Sequence, residues 1–263
     1  MMKIGFIGMG NMGRAMAAGA IRAFGAENCV FSVPDQKHGE KTAAETGMTF
    51  VMTNAEASCA DIVVLAVKPQ VMAEVTKEIR DTLPKDAVVI SPAPGISVGS
   101  LCDMLGGHEK IVRIMPNLAA KVGESMTGVT YGQALQEEDR KAAETFLTSF
   151  GGVVEVSENL MDAVVCVSGS SPAYVCIFIE ALADSAVKYG ISRKDAVKMA
   201  AQTVLGTAKL ILETGEDPAV VKNAVCSPAG TTIQGVSALE EYGFRNAVIK
   251  ATDACYKKCT EIK

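Results

Sequence analysis

Short apolar runs alternate with amphipathic stretches along the first half of the chain. The runs at residues 3–8, 29–33, 62–67, 87–91, 110–114 and 127–131 are rich in Val and Ile and predict strands. Patterns of period 3.6 at 12–24, 70–80 and 137–150 predict helices between them. A run such as Ile62-Val-Val-Leu-Ala-Val67 has no polar alternation, so both of its faces are buried. Continuous apolar strands separated by helices imply a parallel, doubly wound α/β sheet covered on both sides.

After Gly151-Gly152 the strand signal fades, with a last strand at 153–156. Residues 157–161 read as a boundary, giving an N-terminal Rossmann-type domain at 1–157 and an all-α C-terminal domain at 158–263. Helices are expected there at 161–189, 193–214, 218–225, 232–242 and 244–257. The stretch Val175-Cys-Ile-Phe-Ile-Glu-Ala-Leu-Ala183 is apolar on more than one face, and a short helical domain offers too little cover for it. A partner subunit would supply that cover, so a homodimer built on the C-terminal helices is expected. The uncharged run 163–179 approaches membrane-spanning length, but Ser168-Gly-Ser-Ser-Pro172 interrupts it and Asp162 and Glu180 flank it. A buried, kinked helix is expected there and no bilayer span.

Composition narrows the class. With 49% hydrophobic and 21% charged residues the 263-residue chain is a globular one. A net charge of −5 and the lack of a basic run give no reason to expect nucleic acid or an acidic membrane as partner. The eight cysteines have no CxxC spacing and sit largely in apolar runs, which predicts buried thiols in a reducing compartment. Two histidines, His38 and His108, are too few for an ordinary zinc site or a His-based triad, so no metal is expected. The N-terminus starts a strand without a signal-peptide layout, and a cytoplasmic location is expected.

Two segments carry candidate chemistry. Gly8-Met9-Gly10-Asn11-Met12-Gly13 is a GxGxxG between a strand and a helix, the context in which that pattern cradles a dinucleotide pyrophosphate. Gly8 allows the tight turn, Gly10 lets the backbone approach the phosphates, and Gly13 lets helix and strand pack closely. At the end of the second strand, Ser32 takes the place near the ribose where an acidic residue would select NAD, and Pro34 turns Asp35 away. The other segment is Val225-Cys-Ser-Pro-Ala-Gly-Thr-Thr-Ile233, uncharged and rich in hydroxyls. Pro228 and Gly230 force a turn there, and Ser227, Thr231 or Thr232 can cap the helix that follows. Backbone N–H groups at such a helix start suit a small carboxylate or phosphate, though a plain helix-loop-helix corner reads equally well.

The segment Pro218-Ala-Val-Val-Lys-Asn-Ala-Val-Cys-Ser-Pro-Ala-Gly-Thr-Thr-Ile-Gln-Gly-Val-Ser-Ala-Leu-Glu240 resembles the signature of the pyrroline-5-carboxylate reductases. The stretches Gly5–Gly13, Ala66-Val-Lys-Pro69, Ser168-Gly-Ser-Ser-Pro-Ala-Tyr174 and Gly206-Thr-Ala-Lys209 match in the same order along the chain. The resemblance implies reduction of L-1-pyrroline-5-carboxylate, a cyclic imino acid, to L-proline. It implies cofactor contacts at Gly8 to Gly13, at Ser32 and Asn54 beside the 2′-phosphate, and at Ala66, Val67, Lys68, Pro69, Ala93 and Pro94 on the nicotinamide side. NADPH is then preferred and NADH possible. Ser227, Gly230, Thr231 and Thr232 would bind the substrate, Thr232 would face the imine nitrogen, and Glu158 would lie near the bound ring. The family's dimers often assemble into rings.

Three departures from the pattern stand out: Ser171 in place of a glycine, Pro92 and Pro94 where alanine-like residues are common, and Ala224 in place of an asparagine. Two rival readings share the opening motif. A β-hydroxyacid dehydrogenase needs a lysine on the helix after the Rossmann domain, and no lysine or arginine occurs between Lys141 and Lys188. A nucleotide-sensing binding protein would keep the fold without catalysis.

Overall fold

The computed structural model describes residues 2–261. Its contacts divide the chain into two compact units, Met1–Ser170 with Tyr256–Lys263, and Ser171–Cys255.

The first unit runs β1 (Ile4–Ile7), α1 (Asn11–Phe24), β2 (Cys29–Ser32), α2 (Gln36–Thr46), β3 (Thr49–Val51), α3 (Asn54–Ala57), β4 (Ile62–Leu65) and α4 (Met72–Ile79). It continues with β5 (Val88–Ser91), α5 (Val98–Met104), β6 (Ile111–Met115), β7 (Ser125–Tyr131), α6 (Glu137–Thr148), β8 (Gly151–Glu155) and α7 (Met161–Val164). The eight strands lie in the order β3-β2-β1-β4-β5-β6-β7-β8. All neighbours are parallel except β6 and β7.

The apolar strands divide their side chains between two cores, as period 2 requires. Ile4, Phe6, Ile62 and Val64 pack on one face with Phe146 and Phe150 from the α6 side. Ile7, Val63, Leu65 and Val89 pack on the other, against Met72, Val75 and Ile79 of α4. The Phe146 ring sits 6.1 Å from Phe6 and 5.4 Å from Phe150, a tilted and an edge-on contact that anchor α6.

Two features depart from the sequence reading. The three-residue strand β3 was not expected; it is an edge strand without a buried residue, and its apolar stretch Phe50-Val51-Met52 is short and lies close after α2. The pair β6–β7 is antiparallel within an otherwise parallel sheet. Only residues 116–124 separate them, and their single 3-10 turn at Leu118–Val122 is too short for the crossover a parallel return needs.

The second unit holds α8 (Ser171–Lys188), α9 (Arg193–Thr214), α10 (Pro218–Val225), α11 (Thr231–Glu241) and the first part of α12 (Phe244–Glu261). The helix expected at 161–189 consists of α7, a wide π turn at Val165–Gly169 closed by Ser170 N–H on the Val165 carbonyl (2.8 Å), and α8. The stretch Glu158–Lys188 has the length and apolarity of a membrane span. The kink falls where Ser168-Gly-Ser-Ser-Pro172 suggested, but the expected burial is not met within the protomer. Only Ala183 of α8 is buried, and Ile177 on α8 and Leu212 on α9 are 66% and 77% exposed. The thiols also differ from expectation: Cys29 and Cys166 are buried, Cys59 and Cys176 are exposed, and the other four lie between. Burial, with Glu27 adding to it, pushes the Cys29 thiol up to about 11.

Gly5 is the tightest point of β1, because a Cβ there would fall on the Ala57 carbonyl oxygen of α3. Gly5→Ala should therefore destabilise the protein by about 1–3 kcal/mol in urea unfolding, as overpacking does. An unchanged midpoint would show that α3 is not seated on β1.

Candidate functional site

The strand order reverses at β1 and β4, whose carboxyl ends open the crevice where doubly wound sheets bind ligands. Gly8 N–H donates to the Ser32 carbonyl (3.0 Å) and Ala66 N–H to the Ile7 carbonyl (2.9 Å). These bonds draw the turns after β1, β2 and β4 together. The three glycines then play distinct steric parts. Gly8 has φ 94°, a left-handed conformation, with the Ala66 carbonyl oxygen 2.7 Å from a would-be Cβ. A Cβ on Gly13 would strike the Gly8 carbonyl oxygen, which closes α1 onto the turn. Gly10 faces open space, with no heavy atom within 4 Å of its would-be Cβ. It is also the N-cap of α1 and carries no side-chain cap, so the first N–H groups of α1 remain for an anion. The residues therefore fit a dinucleotide pyrophosphate. Asn11 is exposed, whereas the Met9 side chain is 2% exposed, leaving Met9 only its backbone to offer a cofactor.

A cavity of about 610 Å³ extends from Gly8 past Ser32 and Asn54 to Val67 and Glu78. Ser32 ends β2 and is buried; its Oγ donates to Asn54 Oδ1 (2.7 Å). Asn54 is held as the first residue of α3 by a capping box, in which Thr53 Oγ1 accepts from Glu56 N–H and Glu56 accepts from Thr53 N–H. Asp35 caps α2 by accepting from His38 N–H (2.7 Å), so its carboxylate is committed locally. Lys68 is exposed beside Pro69, Ala93 is buried, and Pro94 is exposed on the loop after β5.

Glu158 is tied into the first unit. Its Oε1 accepts from Arg113 Nη1 (3.0 Å) and from Val98 N–H (2.8 Å), the first amide of α5. The carboxylate thus satisfies a helix N-terminus and pins the far end of the loop that carries Ala93 and Pro94. Arg113 is 7% exposed and its Nε has no partner, beside a cavity of about 590 Å³ lined by Gly95, Ser97, Asn159 and Asp162. Arg113 was missed from the sequence because its partner lies 45 residues away. Burial pushes the His108 imidazole down from 6.5; its Nε2 lies 2.8 Å from the Ala87 carbonyl, a structural position in the first unit.

In the second unit, Gly230 N–H donates to the Ser227 carbonyl (3.1 Å) and closes a turn with Pro228 and Ala229 at its centre. Ala229 has φ 56°, the one positive φ among the described residues other than glycine. Such a turn favours glycine at that place, so Ala229 carries strain of about 1 kcal/mol. A Cβ on Gly230 would strike Ser227 Oγ, so a side chain there would turn the Ser227 hydroxyl away from the helix start. Gly230 is the N-cap of α11, and neither Ser227, Thr231 nor Thr232 caps the helix, contrary to expectation. The cause is the turn itself: the extended Gly230 takes the cap position, and α11 starts one residue early at Thr231. The Gly230 amide is thus already engaged, whereas Thr231 and Thr232 present the first two amides of the helix, uncapped by any side chain.

The chain is similar to known proteins over its whole length. A family model described as pyrroline-5-carboxylate reductase dimerisation matches residues 158–262, and one described as NADP oxidoreductase, coenzyme F420-dependent, matches residues 3–95. The chain is 44% identical to a pyrroline-5-carboxylate reductase of Escherichia coli (strain K12) over 99% of this chain and 98% of that protein. It superposes on a pyrroline-5-carboxylate reductase from Coxiella burnetii with TM-score 0.92 and 32% identity, covering 100% of this chain and 98% of the other. A Plasmodium falciparum pyrroline carboxylate reductase with NADP bound gives TM-score 0.86 and 32% identity, covering 98% and 97%.

The open space at Gly10 separates binding from folding. Gly10→Ala should cost only about 0.5–1 kcal/mol of stability, the loss of a glycine N-cap, and raise the KM for the dinucleotide by about tenfold or more, since its methyl enters the phosphate's place. Gly13→Ala should lower both stability and affinity. Equal effects of the two substitutions would contradict this division.

Proposed function

The chain belongs to the pyrroline-5-carboxylate reductase family, and from that premise we infer its chemistry: reduction of L-1-pyrroline-5-carboxylate to L-proline, the last step of proline biosynthesis. NADPH, when bound, supplies the hydride to the C=N carbon, and NADH is a less preferred donor. The chain carries a dimerisation domain and self-associates.

The feature that carries the mechanism is the neutral turn Ser227–Gly230 feeding α11. The substrate's permanent handle is its carboxylate. The amides of Thr231 and Thr232 hold that group at the positive end of a helix, with the Ser227 hydroxyl beside it, each charge-assisted bond contributing about 1.5–3 kcal/mol. Gly230 acts by shape, since its own amide closes the turn. The ring nitrogen must be protonated for the carbon to accept hydride, so the bound imine is a cation. A lysine or arginine in this loop would oppose that charge; a helix start does not add a full one. The Thr232 hydroxyl orients the imine nitrogen or relays a proton through water, for a threonine is too weak an acid to protonate it alone. Glu158 acts indirectly, holding α5 and the loop with Ala93 and Pro94 on the nicotinamide side. Gly8 to Gly13 hold the pyrophosphate, Ser32 and Asn54 meet the adenosine ribose, and Ala66, Val67, Lys68 and Pro69 line the nicotinamide side.

In this reading residues 1–157 serve the dinucleotide, and 158–263 serve substrate binding and dimerisation. The apolar faces of α8 and α9 are what a second copy covers, in a homodimer or a ring of such dimers in the cytoplasm. Sedimentation at low concentration should show no folded monomer, and the mass found separates the dimer from the ring.

The direct test follows NADPH oxidation with pyrroline-5-carboxylate beside the piperideine- and pyrroline-2-carboxylates. Fastest turnover is expected with pyrroline-5-carboxylate; its failure to react would end the reading. Thr232→Ala should lower kcat several-fold with the KM for NADPH nearly constant, and an unchanged kcat would remove Thr232 from the mechanism.

A further inference from the structure

The cavity beside Ser32 ends on two carboxylates, Glu74 and Glu78, both on α4, and no lysine or arginine is among the residues that line it. This is unusual for the place concerned. The end of β2 faces the ribose 2′ group in doubly wound folds, and a 2′-phosphate there is commonly met by an arginine. A hydrogen-bond chain runs along the wall instead. Ser32 Oγ donates to Asn54 Oδ1 (2.7 Å), and Asn54 Nδ2 donates to Glu78 Oε2 (2.6 Å). A carboxylate only accepts, so Glu78 fixes the Asn54 amide with its NH₂ turned away from Ser32 and its oxygen turned toward it. The Ser32 proton is thereby drawn into Asn54. The end of the chain nearest the ribose is rich in acceptors, which weakens the hold on a 2′-phosphate without excluding it and is tolerated by a 2′-hydroxyl.

We propose that Glu78 is a specificity-determining residue of the cofactor site, restraining the preference for NADPH over NADH by orienting Asn54 and by its own negative charge. The inference rests on the reading of the chain as an NADPH-dependent reductase. In Glu78→Gln the new side chain can donate as well as accept, so the Asn54 amide is free to turn its NH₂ toward Ser32 and the ribose. The charge is removed at the same time. Both changes favour the 2′-phosphate and leave the 2′-hydroxyl nearly untouched.

The test measures the Kd of NADPH and of NADH by titration calorimetry without substrate, beside kcat/KM for each with pyrroline-5-carboxylate, in the native enzyme and in Glu78→Gln and Glu78→Ala, and takes the NADPH/NADH ratio from both readouts. The NADPH/NADH ratio should rise about fivefold or more in both variants, and less at high salt because Glu78 is exposed. The ratio comes from one preparation, so a loss of folded protein cancels. A ratio that stays constant or falls in both variants overturns the proposal. Turnover of pyrroline-5-carboxylate by the native enzyme, with either cofactor, upholds the reaction whatever the ratio does, so the two failures are distinguishable.

Discussion

The turn after β1 has no room for a side chain, and much of the first unit follows from that constraint. Gly8 must adopt φ 94° to let its amide reach the Ser32 carbonyl, and Gly13 must lack a Cβ to lie against the Gly8 carbonyl. Together they set the direction of α1 and bring the ends of β1, β2 and β4 to one crevice. The remaining glycine of the motif, Gly10, is under no such steric demand from the protein. Its freedom is an opening for a ligand.

In the proposed function both binding regions rely on backbone amides at helix starts, α1 for the pyrophosphate and α11 for the substrate carboxylate. This choice suits the chemistry. A guanidinium or ammonium would bind either anion more strongly, but beside a cationic imine it would oppose the charge that makes the carbon electrophilic. The buried cation nearest the loop after β5, Arg113, is matched by Glu158, whose carboxylate also satisfies the first amide of α5. The strained Ala229 is consistent with a turn whose shape is held for its amides, a site where backbone strain tends to collect.

How much of this was legible in the chain depends on the range of each interaction. Local signals carried far. The unbroken apolar runs gave six strands and their burial on two faces, and the spacing of Gly8, Gly10 and Gly13 gave the turn. The role of Asp35 as a helix cap accords with its being turned aside by Pro34. Features set by connection length or distant partners did not show. The edge strand β3 is only three residues long and buries none of them, β7 reverses because its connection is brief, and Arg113 and Glu158 meet across 45 residues. The start of α11 also escaped notice, since Gly230 rather than a hydroxyl residue takes the cap and commits its amide to Ser227. The exposed apolar faces of α8 were legible as a surplus of hydrophobic positions, and they lie within the residues that the dimerisation model matches.

A crystal structure with L-proline and NADP⁺ bound would test the account most directly. The proline carboxylate should lie about 3 Å from the amide nitrogens of Thr231 and Thr232, with the pyrophosphate against Gly10. A carboxylate held instead by the Arg113 side chain, with the Thr231 and Thr232 amides facing only water, would contradict it.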